Sequence, residues 1–168
     1  MKKTLVFSIL MTAILSVLHA SDFNAVSSSG HTLYYNIISA EDHTVKVTYP
    51  GTTTGYYTGY TKPSGNIVIP SSVSHMGTTY TVTQIGDRAF DNCDGITSVV
   101  FPNSMLVIGS YSFNDCDGIA SITFPNGLLE IRSHAFDDCD ALANATFPNS
   151  LKKIGEQAFD DCSISYVI

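Results

Sequence analysis

A segment of 23 residues repeats along the second half of the chain and limits its fold more than any other feature. It reads IGDRAFDNCDGITSVVFPNSMLV from Ile85 to Val107, and it starts again at Ile108, Ile131 and, in part, Ile154. A fixed period of this length is typical of solenoids, in which each coil buries its apolar face only by stacking on its neighbours. The period predicts an α/β or mainly β repeat solenoid over residues 85–168, with three full coils and a partial one.

Phenylalanine and cysteine recur once in every coil, so we expect both columns to be buried. The predicted structural core residues are Phe90, Cys93, Phe113, Cys116, Phe136, Cys139, Phe159 and Cys162. Each coil is expected to have two walls. One wall is a short strand that stacks on its neighbours about 4.8 Å apart to make a single sheet. The opposite wall, around Ile85–Gly86 and Ala89–Phe90, is expected to be a turn or a short helical segment.

The outward side of the strands is the predicted ligand-binding face. Ile96, Val99 and Phe101 follow the i, i+3, i+5 spacing of inward residues, and Pro102 ends the strand because it cannot donate the next ladder bond. The outward positions and the asparagine after each proline are the candidate ligand-binding residues Ser98, Val100, Ser121, Thr123, Asn144, Thr146, Asn103, Asn126 and Asn149. Such side chains suit an extended protein segment or a glycan, although any solvent-facing strand carries similar residues.

The first twenty residues are predicted to be a signal peptide. Lys2 and Lys3 precede an apolar run over residues 5–18, and Ala20 suits cleavage. The run is too short to favour a membrane span. We therefore expect a secreted or cell-surface protein, with the periplasm as an alternative.

The mature chain has six basic and fifteen acidic residues, a net charge of −9 with His neutral. This charge opposes binding to nucleic acid or anionic lipid.

An even number of cysteines in an exported chain suggests disulfides. Here all four lie in one column, and side chains stacked in parallel point the same way rather than towards each other. Free thiols are therefore expected, with bridges between adjacent coils and metal ligation as alternatives. The close Cys pairs and His spacing of zinc sites are missing from the sequence.

An acidic column runs beside the cysteines, beginning with Asp91, Asn92 and Asp94. Stacked carboxylates about 5 Å apart repel by roughly 0.8 kcal/mol per pair in water. Ca²⁺ bound by these oxygens would offset that cost. The alternative is a solvated turn edge whose Asp and Asn side chains bond to their own backbone. The second interpretation is favoured, so no metal or other cofactor is predicted.

The region before the repeats has a different composition. Residues 21–65 are rich in Tyr, Thr, Ser and Gly, and strand patterns at 32–38 and 44–49 predict a β segment that caps the solenoid. Residues 66–84 are interpreted as a degenerate first repeat with a hairpin insertion. The tyrosines Tyr56, Tyr57 and Tyr60 are expected to pack over the first coil, with an aromatic binding surface as the alternative.

The pattern I-G-x-x-A-F-x-x-C, followed by a strand that ends in Pro and preceded by G-T-T-Y-T-V-T at residues 77–83, resembles the BspA-like leucine-rich repeat proteins of bacterial surfaces. The chain departs from it at Gly95, Ser112, Gly118 and Arg132. The resemblance implies a leucine-rich-repeat-type, right-handed solenoid and an exported, non-catalytic recognition module. Better-known relatives act as adhesins towards host matrix proteins or neighbouring cells. The shared residues are core residues, so no binding residues carry over.

No catalytic constellation is visible, because His31, His43, His75 and His134 are scattered without metal spacing. An enzyme is therefore not expected, and the expected partner is an extracellular protein or a glycan. The alternative function is a structural or self-assembling exported protein. In that case the apolar residues around Ile164 and Ile168 would associate as a homodimer through the C-terminal coil.

Overall fold

The computed structural model describes residues 21–51, 56–164 and 166–167 of the 168-residue chain. The predicted signal peptide lies outside these residues. The strands are β1 (Phe23–Val26), β2 (Thr32–Ser39), β3 (Thr44–Thr48), β4 (Gly65–Val68), β5 (Ser72–His75), β6 (Thr78–Ile85), β7 (Ile96–Val100), β8 (Val107–Ile108), β9 (Ser121–Thr123), β10 (Glu130–Ile131), β11 (Asn144–Thr146), β12 (Lys153–Ile154) and β13 (Tyr166–Val167). The described ranges contain no helix. The mainly β fold class is therefore correct, and the α/β alternative is wrong for these residues.

One wall of the molecule is an eight-stranded sheet that continues from the N-terminal segment into the repeats. Strands β1, β2 and β3 form an antiparallel meander, and β3 then pairs in parallel with β6, which places Val47 opposite Ile85. Parallel strands β8, β10 and β12 extend the sheet. Their paired residues Ile108, Ile131 and Ile154 are 23 positions apart. The N-terminal segment thus supplies a strand where a preceding coil would supply one.

A hairpin interrupts the first turn of the solenoid. Strands β5 and β6 pair antiparallel, with His75 opposite Thr78. Met76 and Gly77 make the turn, and both have positive φ angles, of 49° and 81°. Met76 is 92% exposed, so the tip of this hairpin extends into solvent.

The opposite wall carries the candidate ligand-binding residues and is divided into two sheets. Strand β4 pairs with β7, whereas β9, β11 and β13 form a separate three-stranded sheet. Within the described residues no strand pairing joins β7 to β9. The expectation of one continuous sheet is therefore wrong, because the ladder is interrupted between the first two full coils.

The edge between the walls is built from turns in which two residues per coil adopt the left-handed conformation. One set is Arg88, Tyr111, His134 and Gln157, and the other is Asn92, Asp115, Asp138 and Asp161, with φ between 48° and 58°. Asn and Asp tolerate this region better than most residues, which accounts for the second set. Turns, and not the short helical segment considered above, therefore follow the Ile85–Gly86 position. The described part of the chain includes no helix with the length and apolar character needed to cross a membrane.

Backbone hydrogen bonds join these turns from coil to coil. The N–H groups of Arg88, Phe90 and Asn92 each donate to a carbonyl oxygen 22 residues further along the chain. The equivalent donors in the next two coils repeat the pattern, with N···O distances of 2.8–3.2 Å throughout. The turn edge is thus bonded as regularly as a strand.

The core between the walls is a stack of phenylalanine rings. Phe90, Phe113, Phe136 and Phe159 lie with successive ring centroids 5.0–5.3 Å apart and ring planes within 17° of parallel. The first three are at most 1% exposed, whereas Phe159 in the last coil is only partly buried. The phenylalanine stack is therefore shielded from solvent in the first three coils and partly exposed to solvent in the last one.

The four cysteines are free thiols beside this stack. The Sγ–H groups of Cys116, Cys139 and Cys162 donate to the carbonyl oxygen of the phenylalanine in the preceding coil, at 3.0–3.2 Å. Burial raises the pKa of the Cys93 thiol to about 12 and raises the pKa of Cys116 above its ordinary value. The last three thiols therefore connect neighbouring coils, whereas Cys93 donates to the Asp91 carbonyl within its own coil. Cys162 is only half-buried, unlike the other three cysteines, and its pKa is lowered by its hydrogen bond with Cys139.

Stability at alkaline pH tests the burial of the Cys93 thiol. An unfolded cysteine loses its proton near pH 8.5, whereas folded Cys93 keeps it up to about pH 12. The contribution of this buried thiol to the free energy of unfolding is complete below about pH 8.5. It falls by about 1.4 kcal/mol per pH unit as the pH rises from there towards 12. We expect Cys93→Ser to have a smaller loss of unfolding free energy than the parent between about pH 8.5 and pH 10, measured by urea denaturation. Identical slopes for the two proteins would contradict the buried-thiol assignment.

Candidate functional site: the outward strand face

The candidate ligand-binding residues lie on the divided wall and in the turns that follow it. The exposed ones on strands are Val100, Ser121, Thr123, Asn144 and Thr146, and the exposed ones in turns are Asn103, Asn126 and Asn149. Ser98 is half-buried, because its hydroxyl donates to Oδ1 of Asn66 on β4 at 2.8 Å. Eight of the nine candidates therefore face solvent, and the ninth is held by the neighbouring strand.

A groove of about 420 Å³ lies between β7 and β9, where no strand pairing joins the two coils. Five of the candidate residues line it, namely Ser98, Val100, Asn103, Ser121 and Thr123. Its floor is apolar and is made by Val99, Phe101, Phe124 and Pro125. The other four candidates, Asn144, Thr146, Asn126 and Asn149, lie outside the groove. The structure thus brings together the candidates of the first two full coils only.

The break leaves two backbone N–H groups without the partners that equivalent groups have elsewhere. Between β9 and β11, the N–H of Phe124 donates to the Thr146 carbonyl at 3.0 Å, and the N–H of Ala143 donates to the Ala120 carbonyl at 3.1 Å. One coil earlier, the equivalent N–H groups of Phe101 and Ala120 make no such bond to described residues. Such backbone groups need hydrogen-bond partners from solvent or from a ligand.

No residue that lines the groove carries a titratable side chain, although the whole chain has a net charge of −7. Val100 is 51% exposed, and the rings of Phe101 and Phe124 stack at a centroid distance of 5.9 Å. Hydroxyl and amide groups surround these apolar atoms. The groove therefore suits a neutral ligand that combines apolar and hydrogen-bonding parts.

The acidic column has the geometry of a turn edge. Asp91 is buried and accepts hydrogen bonds from the Arg88 guanidinium at 2.8 Å and from Asn114 Nδ2 at 3.0 Å. Partial desolvation and neighbouring carboxylates, the first of them Asp115, raise the pKa of Asp138. No group of three or more His, Cys, Asp or Glu side chains within the described ranges is placed to hold a metal ion. The Asp91 carboxylate is thus bonded to neighbouring side chains, and not to its own backbone as the turn interpretation expected.

A stack of aromatic and cationic side chains runs along the first left-handed column. The Arg88 guanidinium lies 4.2 Å from the ring centroid of Tyr111 and 5.6 Å from that of Tyr56. Tyr111 in turn stacks on His134 at 4.5 Å, and His134 Nδ1 pairs with Asp137 at 2.8 Å. Sequence reasoning missed this stack, although the spacing of 23 residues between these three positions was a visible signal.

The tyrosine cluster divides into three environments. Tyr57 is buried, and its hydroxyl donates to the Ala89 carbonyl at 2.8 Å. Tyr56 lies against Arg88, whereas Tyr60 is 43% exposed and contacts Tyr34 edge to face. Two of the three therefore pack over the first coil as expected, and Tyr60 belongs to a separate surface.

A family profile that matches more than half of the chain identifies its sequence family. The profile of the BspA type leucine-rich repeat region matches residues 66–168 in six copies. The chain belongs to the BspA-type leucine-rich repeat family. The resemblance inferred from the Phe, Cys and Pro columns is thereby confirmed, and the repeat fold of this family is the one described above.

Solved structures of bacterial leucine-rich repeat proteins resemble this BspA-type chain. One from Bacteroides capillosus is 29% identical, with a TM-score of 0.65 over 80% of this chain and 91% of that one. One from Bacteroides ovatus is 27% identical, with a TM-score of 0.64 over 81% of this chain and 35% of that one. A leucine-rich cell surface protein from Faecalibacterium prausnitzii, 19% identical, has a TM-score of 0.50 over 88% of this chain and 54% of that one, and shows the fold alone. No curated protein matches the chain.

The Arg88 stack generates a prediction for this BspA-type coil. Arg88→Ala removes a cation–π contact and leaves the buried Asp91 carboxylate with only Asn114 as a side-chain partner, so we expect a loss of about 2 kcal/mol in unfolding free energy. Gln157→Ala is the matched control, because Gln157 has the same place in the last coil but is exposed there. We expect that change to cost less than about 0.5 kcal/mol. Equal costs in urea denaturation would show that the stack does not stabilise the fold.

Proposed function

We propose that this protein is an exported, non-catalytic recognition or adhesion module that binds an external protein or glycan through the outward face of β7 and β9. The observation that carries the proposal is the uncharged groove at the break between these strands. Membership of a family of repeat proteins supports a scaffold role, since solenoids present extended binding surfaces rather than enclosed catalytic centres.

The apolar floor of the groove provides part of the binding free energy. Val100 is about half exposed, so covering it would contribute about 1 kcal/mol. Phe101 is also partly exposed, beside the buried Phe124. A ligand with an apolar side chain or an apolar sugar face would cover these atoms, and the surrounding hydroxyl and amide groups would fix its orientation.

The polar groups of the groove favour a ligand with regularly spaced hydrogen-bonding groups. Ser121 and Thr123 project from alternate positions of β9, and the N–H groups of Phe101 and Ala120 are available at the break. An extended peptide or an oligosaccharide has donors and acceptors at a comparable spacing. The negative net charge opposes nucleic acid and anionic membrane surfaces as partners.

The place of action that we propose is the cell surface or the external medium, with the periplasm as an alternative. Support comes from the sequence pattern of residues 1–20, which lie outside the described residues. The F. prausnitzii neighbour with the same fold is described as a cell surface protein. N-terminal sequencing of the protein recovered from the medium or the surface would locate the cleavage site.

The finer architecture that we propose is a right-handed solenoid of 23-residue coils, capped by residues 21–65, with a degenerate first repeat at residues 66–84. Two contacts support the capping role. Strand β3 occupies the sheet position next to β6, and Tyr57 covers the first turn by donating to the Ala89 carbonyl.

Removing the Tyr57 hydroxyl tests the capping role. Tyr57→Phe keeps the ring and leaves the buried Ala89 carbonyl without this donor, so we expect a loss of about 1 kcal/mol in unfolding free energy. Tyr60→Phe is the matched control, since Tyr60 is exposed and should change stability by less than about 0.5 kcal/mol. A Tyr57→Phe protein as stable as its parent would remove this contact from the capping argument.

A second candidate function is self-association through the C-terminal coil, and one observation favours it. Ile154 is 47% exposed, whereas the equivalent Ile85, Ile108 and Ile131 are at most 1% exposed. A second copy that paired with this coil would cover Ile154 and give a homodimer. Calcium at the Asp column stays a subordinate part of this alternative, and the described geometry gives it no support.

Binding of the mature chain to an immobilised panel of extracellular-matrix proteins and glycans tests the main proposal. The parent should bind at least one member saturably. A Ser121→Lys, Thr123→Lys variant places two long charged side chains in the groove and should weaken that binding about tenfold or more, because each buried ammonium costs more than 1 kcal/mol.

The matched control is Asn24→Lys, Ser72→Lys, whose side chains are exposed on β1 and β5, away from the groove. It adds the same charge and should bind as the parent does. Equal loss in both variants would indicate a charge effect without a defined face. No binding by the parent, together with a dimeric mass in light scattering that Ile154→Lys abolishes, would replace recognition by self-association.

A further inference from the structure

The N-terminal segment contains a second pocket, separate from the groove, with a volume of about 430 Å³. It lies between the start of β2, around His31 and Tyr34, and the chain segment from Gly59 to Pro63. It shares no residue with the β7–β9 groove. Any ligand that it holds is therefore bound independently of the proposed function above.

Two tyrosines form the aromatic side of this pocket. The rings of Tyr34 and Tyr60 meet edge to face, with centroids 5.7 Å apart and planes at 79°. Tyr60 is 43% exposed, although it is a large aromatic side chain. Burial and the nearby Tyr60 raise the pKa of Tyr34, and a protonated tyrosine hydroxyl is able to donate a hydrogen bond.

The opposite side of the pocket is polar and held in place by hydrogen bonds. His31 Nε2 donates to the Ser64 carbonyl at 2.8 Å, and its Nδ1 lies 3.0 Å from the Ser29 hydroxyl. The same hydroxyl accepts a hydrogen bond from the Val68 N–H at 3.1 Å. These bonds fix the imidazole between β2 and β4, so the pocket is formed before any ligand arrives.

Lys62 is the one side chain with a permanent charge among the residues that line the pocket. Its ammonium group contacts the backbone carbonyl and the side-chain oxygen of Asn92 in the first coil. The ammonium is therefore engaged with the solenoid, and the Lys62 alkyl stem remains beside the pocket. Thr32 and Thr61 add hydroxyl groups to the same lining.

We propose that this pocket binds a carbohydrate residue of an external glycan. The exposed Tyr60 ring offers a negative face to the weakly positive C–H groups on one side of a pyranose. Tyr34, Thr32 and Thr61 line the same pocket and carry hydroxyl groups that can hydrogen-bond to sugar hydroxyls. The volume is within the range of small-ligand sites, and the fixed imidazole and lysine lower the ordering cost of binding.

Titration with free oligosaccharides, followed by amide and aromatic NMR shifts, tests the proposal. The probes are maltotetraose, cellotetraose, chitotetraose and a hyaluronan tetrasaccharide, each raised to millimolar concentration. We expect saturable shifts at Tyr60, His31 and Thr61 with at least one probe. Tyr60→Ala should weaken that binding about tenfold, and Tyr60→Phe should retain most of it, because the ring and not the hydroxyl makes the stacking contact.

The outcomes separate this pocket from the groove. Shifts at Tyr60 that persist in the Ser121→Lys, Thr123→Lys protein support a distinct sugar site. Shifts confined to β7 and β9, or no saturable shift with any of the four probes while the amide spectrum shows a folded chain, overturn the proposal. Equal weakening by Tyr60→Phe and Tyr60→Ala would also overturn it, because stacking on the ring would then not contribute.

Discussion

The fold depends on backbone hydrogen bonds that run from coil to coil. The bonds between successive turns are the least usual of these, because they require left-handed residues. Residues 88, 90 and 92 and their equivalents donate to the next coil only because two residues of each turn take the left-handed conformation. For residues other than Gly, Asn and Asp that conformation costs on the order of 1 kcal/mol each. The bonds and the side-chain stack along Arg88, Tyr111 and His134 offset this cost, and so the same turn recurs unchanged.

The side chains inside the coils follow the geometry that these bonds set. With neighbouring backbones held at a fixed spacing, each phenylalanine ring lies over the one before it, and each thiol after the first reaches the carbonyl of the preceding coil. Glycine appears where the backbones approach most closely. A Cβ at Gly118 would lie 2.4 Å from the Ile96 carbonyl oxygen. The core positions of the repeat thus recur within the chain because each of them contacts its own copy in the next coil.

The sequence was sufficient to predict the parts of the structure that repeat. The columns of Phe, Cys and Pro located the core and the strand ends, because a side chain that stacks on its own equivalent must recur at the period. The β7–β9 break was missed, since both strands obey the pattern that pairs β9 with β11. Gly95 and Gly118, where the next coil has Ala141, were the nearest signal. The pocket at Tyr34 and Tyr60 was also missed, because it depends on how a non-repeating segment packs.

The interrupted wall gives the molecule unequal stiffness on its two sides. Strands β3, β6, β8, β10 and β12 are bonded without interruption, whereas the wall opposite them is bonded only on either side of the break. At the break, a force that pulls the two ends of the solenoid apart would meet hydrogen bonds in the continuous sheet and in the turn edge, and side-chain packing alone between β7 and β9. Bending at the junction of the first two full coils would therefore widen the groove first, because the β6–β8 pairing stays bonded there.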